Sequence, residues 1–291
     1  MKCSLKYFIF SVVILSLLAG TDAIAQGNRR RTPTSRRNAE FLEKQWWIGV
    51  RGGWSYSKAK PGDRYSVFSS TEGEPGSLDK KYNGFKGAGA IAGLELTFTY
   101  KTFSLSFQPN YRRQRFSYSN SYEWKDTASV GLFNLQYKQD HQLDYLELPL
   151  LFKYDILKNE IKPYVQAGCY YGILSIANKK VEISGTDQAS GGTVFKQPDI
   201  LVGAKDLFIK SSIGFLAGAG VSYDVGNVKV LLDVNYRFGT NTITNRKNRY
   251  TNNALSGAGD ALDDVKLRNI SINLGCLLPM RYVDTNHFRS R

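Results

Sequence analysis

Cysteine and histidine are scarce in this chain: three and two, respectively, among 291 residues. His141 and His287 stand far apart and, taken with the cysteines, match no metal-ligand spacing. No phosphate-cradling glycine loop and no Ser-His-Asp order is visible. Acidic residues are outnumbered, 25 against 39 basic, which leaves a net charge of +14. Anionic partners therefore suit the chain better than cationic ones. No stretch approaches 18 continuous apolar residues, so a transmembrane helix is excluded. Repeats of the solenoid or propeller kind are absent too.

What the chain does have begins at its N-terminus. Lys2 and Lys6 precede a short apolar run, Tyr7 to Ala19, and Ala23-Ile24-Ala25 offers a cleavage site before Gln26. Residues 1–25 read as an export signal, too short to anchor in a bilayer. Cys3 lies before the apolar run, so no lipoprotein signal is read. Residues 26–44 form a basic arm with Arg29, Arg30, Arg31, Arg36 and Arg37, and a short helix is expected near Asn38 to Lys44. The arm is a solvated linker or a contact for lipid headgroups and cell-wall material; the export signal argues against nucleic acid. An exported protein without an apolar helix is integral to a membrane only as a closed barrel.

From Gln45 onward, period-two alternation recurs to residue 283. The outer face of the first strand carries Trp46, Ile48, Val50, Trp54 and Tyr56, and its inner face Trp47, Gly49, Arg51, Gly53 and Ser55. Later strands are read at Phe85–Tyr100, Phe103–Tyr118, Gln142–Tyr154, Pro163–Ile176, Phe208–Tyr223, Val228–Gly239 and Leu267–Leu278. Short turns follow the second, fourth and sixth strands. Long polar connections, Lys58–Asn83, Asn120–Asp140, Ala177–Lys205 and Thr240–Val265, follow the others. That alternation is the mark of an outer-membrane barrel with turns in the periplasm and loops outside, both termini then being periplasmic.

A soluble sheet also alternates, so the second face decides. It is mostly Gly, Ser, Asn and Gln with few charges, which suits a narrow lumen better than a water-exposed surface. The strands, about 12 to 16 residues, exceed the usual 5 to 6 of soluble strands. The expected fold is all-β: an antiparallel up-and-down transmembrane barrel of about eight strands with a filled lumen. Pro109 and Pro149 fall inside strands, where local bulges are expected to absorb them. Cys169 and Cys276 fall on non-neighbouring strands and are expected as free, buried thiols. Residues 284–291 form a C-terminal tail.

Tyr145-Leu146-Glu147-Leu148-Pro149-Leu150-Leu151-Phe152-Lys153-Tyr154 resembles the signature strand of the PorT-like outer-membrane β-barrel family of the Bacteroidetes. Pro163-Tyr164-Val165-Gln166-Ala167-Gly168, Gly214 to Val221 and Asp233 to Gly239 support the likeness, which spans about Trp46 to Leu278. It implies an eight-stranded outer-membrane barrel. Some relatives are linked to gliding and type IX secretion, whereas many have no assigned activity.

The inner-face charges are Arg51, Glu95, Arg112, Glu147, Lys153, Asp233 and Arg237. Buried charges must pair, so they are expected to form a mid-lumen ion network that closes the barrel to solutes. Catalysis would need a base beside a nucleophile or carboxylate. His141, with Asp140 and Asp144, is the one candidate and reads more simply as a solvated loop edge. The expected protein is therefore a non-enzymatic scaffold or binding partner without cofactors. Its surroundings would be outer-membrane lipid, lipopolysaccharide and envelope proteins, with a secretion machinery as one setting. A narrow pore and a rim hydrolase are the alternatives.

Overall fold

The computed structural model describes residues 44–66, 80–125, 132–157, 160–188, 191–250 and 260–280. The export signal, nearly all of the basic arm and the C-terminal tail lie outside the described residues. Eight long strands dominate: β1 Lys44–Pro61, β2 Gly87–Tyr100, β3 as Phe103–Phe107 and Asn110–Lys125, and β4 Leu132–Asp155. They continue as β5 Ile161–Asp187, β6 Ser211–Val225, β7 Val228–Gly239 and β8 Val265–Pro279. Each pairs antiparallel with the next. β8 pairs back onto β1 along Trp47↔Pro279 to Pro61↔Val265, so the sheet closes on itself and leaves no edge. Among the described residues no helix is long and apolar enough to cross a membrane.

Two-residue turns join β2 to β3 at Lys101-Thr102 and β6 to β7 at Gly226-Asn227. Lys101 and Gly226 both take positive φ, 56° and 62°, as tight hairpin turns require. A lysine tolerates that region less readily than a glycine does. The connections at the opposite end are long.

The outward face is apolar from the short turns upward. On β1 the band runs from Trp46 to Tyr56, with Val50 and Trp54 59% and 65% exposed on the protein's own surface. Eleven residues is the length that a tilted strand needs to cross hydrocarbon, about 9–11. Aromatic rings pack along the lower margin, Trp46 against Phe98 at 5.0 Å and Phe103 against Tyr154 at 5.2 Å. Cys169 and Cys276 are free, as expected, but not buried: both lie on this outward face. Gly49 faces inward where β1 presses on β8, and a Cβ there would run into the Cys276 carbonyl oxygen.

The prolines produce no bulge. Leu96 opposes Phe107 and Gly93 opposes Asn110, so the register is the same on either side of Pro109. Pro109 and Pro149 still accept backbone bonds, from Leu94 at 2.9 Å and Gln108 at 3.0 Å. Only the missing N–H donors interrupt the ladder, and pairing on both sides holds the strands in place.

The one register shift among these pairs lies higher. Asp144 opposes Ile176 and Tyr145 opposes Leu174, which leaves Ser175 unpaired in β5. Below this bulge the even residues of β5 face inward (Tyr164, Gln166, Tyr170, Leu174). Above it the odd ones do (Ala177, Lys179, Val181, Ile183). The wall also changes character here. Above Asp144 its outward residues are polar (Gln142, Asp140, Lys138, Lys180, Glu182), and its inward ones, such as Tyr122, Tyr137, Val181 and Ile183, pack together. The expected loops Asn120–Asp140 and Ala177–Lys205 are therefore largely strand. β3, β4 and β5 rise past the apolar band as a water-bathed sheet, edged by short strands Lys81–Tyr82, Thr193–Lys196 and Ile200–Gly203.

Candidate functional site

The lumen is a column of side chains in layers. Nearest the short turns, Lys229 sits over the Trp47 ring at 4.3 Å. Beside it a cavity of about 20 Å³ bordered by Lys153, Tyr164 and Leu277 has room for one water.

Above lies a balanced ion cluster of two cations and two anions. The Arg51 guanidinium donates to Glu95 at 3.0 Å and to both oxygens of Asp233, at 3.1 and 2.9 Å. Gly275, opposite Arg51 on β8, has no side chain to stand between Arg51 and Asp233 on β7. Lys153 donates to Glu95 at 2.5 Å. Neutral donors complete the carboxylates: Thr97 and Ser106 on Glu95, both at 2.9 Å, and Asn235, Asn273 and Tyr164 on Asp233 at 2.6, 2.7 and 3.2 Å. Glu95 is wholly buried, so these bonds replace all its water.

A second cluster is built on Glu147. It accepts from Arg112 at 2.8 Å, from Arg237, and from Gln114 at 3.2 Å. Arg112 also donates to Ser55 at 2.9 Å, and Arg237 lies over the Tyr170 ring at 5.1 Å. Two guanidiniums on one carboxylate leave this layer with an excess positive charge.

The seven inward charges read from the sequence are thus all buried in the lumen, but in two groups rather than one. Glu147 partners Arg112 and Arg237 and stands apart from Arg51 and Glu95. No group of three or more potential metal ligands occurs among the described residues.

Above the charges the column turns apolar. Leu143, Tyr145, Leu174, Leu207, Phe208, Ile243, Leu262 and Leu267 belong to one buried cluster. His141 sits in it, stacked on Phe116 at 4.8 Å and Tyr118 at 5.7 Å with Phe208 edge-on. This corrects the solvated-rim reading. His141 is 1% exposed, and neither ring nitrogen has a hydrogen-bond partner among the described residues. Burial, helped by Lys179 and Lys80, pushes its pKa well below the usual histidine value. Asp140 points outward near Lys138, and Asp144 is bound by Arg113 at 3.0 Å and Tyr111 at 2.5 Å. The three residues of the catalytic alternative do not converge.

The sequence reading missed the cap at the long-loop end. Lys80 reaches Asp263 at 2.8 Å and Asp260 at 3.3 Å, and it donates to the carbonyls of Tyr65 and Ala261. Tyr82 donates to Asp263 and Tyr122 to Asp260, at 2.8 and 2.7 Å. Arg249 pairs with Asp264 and lies over the Tyr65 ring at 3.4 Å. Beneath this cap burial lowers the Lys179 pKa to about 8. These residues sit in segments that read as plain polar loops. The run Asp260-Ala261-Leu262-Asp263-Asp264, acids interleaved with apolar residues, was the available signal.

A closed antiparallel barrel with an apolar outer band and a charged, filled lumen defines an integral outer-membrane protein. The family match agrees. Residues 24–245 match the outer membrane protein beta-barrel domain family, and the chain belongs to it. Among solved structures it is similar to the Neisserial surface protein A (16% identity, covering 79% of this chain and 96% of that one, TM-score 0.30). It is also similar to Ail, the attachment invasion locus protein of Yersinia pestis (14%, 80% and 99%, TM-score 0.30), solved with the heparin analogue sucrose octasulfate. The E. coli outer membrane protein W is a further neighbour (12%, 79% and 96%, TM-score 0.28). No curated protein sequence matches the chain.

Proposed function

We propose that this protein is a non-enzymatic, plugged barrel that holds a β-sheet platform above the outer membrane for an envelope partner. The observation that carries the reading is the filled lumen, with two ion clusters, an apolar layer and a bonded cap in series. A pore would need a continuous wet path, and eight strands leave an interior that side chains fill. The platform is the upper part of β3, β4 and β5 with the short strands Thr193–Lys196 and Ile200–Gly203 along its edge, whose Val194 and Leu201 are 75% and 72% exposed.

The long-loop end faces the cell exterior in this reading and both termini face the periplasm, after removal of residues 1–25. What supports that orientation is the alternation of two-residue turns with long connections. The likeness of Tyr145 to Tyr154 to the PorT-like signature strand supports, as a finer reading, an accessory role beside a type IX-like secretion machinery.

Planar-bilayer recording tests the plug: no sustained unitary currents are expected, and reproducible channels would refute it. The protein expressed in cells with an epitope between Gly191 and Gly192 tests the orientation. Antibody binding to intact cells is expected, and binding only after lysis would reverse it.

A further inference from the structure

Where β1 and β8 leave the apolar band, their outward side chains become cations. Lys58 and Lys60 follow Tyr56, while Lys266 and Arg268 precede Ile270. The register sets Lys58 directly opposite Arg268 and Lys60 directly opposite Lys266. Like charges face to face across antiparallel neighbours are unfavourable. Among the described residues no acid is paired with any of the four. Of the two carboxylates at the same place, Asp264 is held by Arg246 at 2.5 Å and by Arg249, and Asp63 lies 3.9 Å from Arg246. Arg268 instead lies over the Phe238 ring at 5.3 Å.

Two other cations near the band margins have acid partners. Arg113 is paired with Asp144, and at the short-turn end Lys162 with Asp224 at 2.6 Å. Lys60, Lys266 and Arg268, together with Arg246 and the acids Asp63 and Asp264 it pairs with, border a hollow of about 400 Å³.

We propose that the Lys58, Lys60, Lys266 and Arg268 cluster on the β1–β8 seam is a binding site for the phosphate groups of the outer-leaflet glycolipid. The cluster stands directly above the outward apolar residues, at the height where a lipid's phosphates meet its acyl chains. Arg268 supplies a planar fork for phosphate oxygens and the lysines supply point charges. The phosphate cancels the cross-strand repulsion, so lipid and seam stabilise each other. The choice of the outer leaflet rests on the orientation proposed above.

The test uses the whole chain refolded in a non-ionic detergent, with thermal unfolding followed by heat-modifiable gel mobility. The probes are bisphosphorylated lipid A, the same lipid dephosphorylated, and inorganic phosphate alone. Bisphosphorylated lipid A is expected to raise the unfolding temperature, and the other two to leave it unchanged. The variant K58Q/K60Q/K266Q/R268Q is expected to unfold at a higher temperature than the parent without lipid, since the repulsion is gone. It should also bind lipid A about six-hundredfold more weakly, at roughly fivefold per cation.

If that variant does not reach the folded state, K60Q/K266Q gives the same reading with a loss of about 25-fold. Parental affinity in the folded variant would overturn the proposal, as would an equal response to dephosphorylated lipid or to inorganic phosphate. Binding in detergent is blind to orientation. A barrel that binds lipid A but hides the Gly191–Gly192 epitope would sink the orientation and leave the site standing.

Discussion

Arg51 is the cation shared by two buried carboxylates, and replacing it with methionine is the sharpest test of the lumen's energetics. Arg51→Met keeps an unbranched stem and removes the bonds to Glu95 and to both oxygens of Asp233. Glu95 retains Lys153, but Asp233 is left with Asn235, Asn273 and Tyr164, all neutral donors. Leaving one buried charge unpaired costs about 3–5 kcal/mol. Adding Asp233→Asn removes that orphan and leaves Lys153 with Glu95 as a balanced pair. The double variant should then lose only about 1–2 kcal/mol, the worth of a few hydrogen bonds. The cycle therefore predicts a favourable coupling of at least about 2–3 kcal/mol, to which the cost of Asp233→Asn alone is added. Urea unfolding in lipid vesicles, followed by tryptophan fluorescence and heat-modifiable mobility, measures each corner. A loss below about 1 kcal/mol in Arg51→Met, or a double variant as costly as the two singles summed, would refute the reasoning.

His141 lies above the apolar band and is buried neutral, with a pKa held below that of the unfolded chain, about 6.5. The unfolded state then binds the extra proton, so stability is full above about pH 6.5 and falls as pH drops below it. The limiting slope is about 1.4 kcal/mol per pH unit, or about 2 kcal/mol by pH 5. His141→Phe should flatten that decline in pH-dependent urea unfolding, and an unchanged slope would discount the histidine. Deleting Ser175 removes the extra residue of the bulge, so Ile176 takes its outward place and Val181 and Ile183 keep facing inward. The upper sheet should stay resistant to protease within 176–188 and the barrel heat-modifiable; cleavage there would count against this account of the bulge.

Within the bilayer the fold was legible because lipid imposes one rule on every strand. The outward faces of β1 through β8, from Trp46 to Leu278, follow the alternation in the sequence, and so do the inward charges. Above the bilayer the rule lapses. Tyr137, Val181 and Ile183 face inward and Lys138 and Glu182 outward, the reverse of the pattern below, so these strands read as loops. The phase change at Ser175 depends on pairing with β4, which a single strand's sequence does not carry. The split of the lumen charges into two groups was hidden for a similar reason. Depth in a barrel depends on strand stagger as well as on position along each strand, and stagger placed Glu147 beside Arg112 and Arg237. His141 looked like rim chemistry because Asp140 and Asp144 flank it, yet neighbours in a strand point to opposite faces.

The joint between β1 and β8 unites residues more than two hundred positions apart, Trp47 with Pro279 at one end and Pro61 with Val265 at the other. Until the last strand has been delivered, the first has a row of amides with no mate, and hydrocarbon offers them none. A prematurely terminated product would therefore stall as an open ribbon, unfit for insertion and ready prey for envelope proteases.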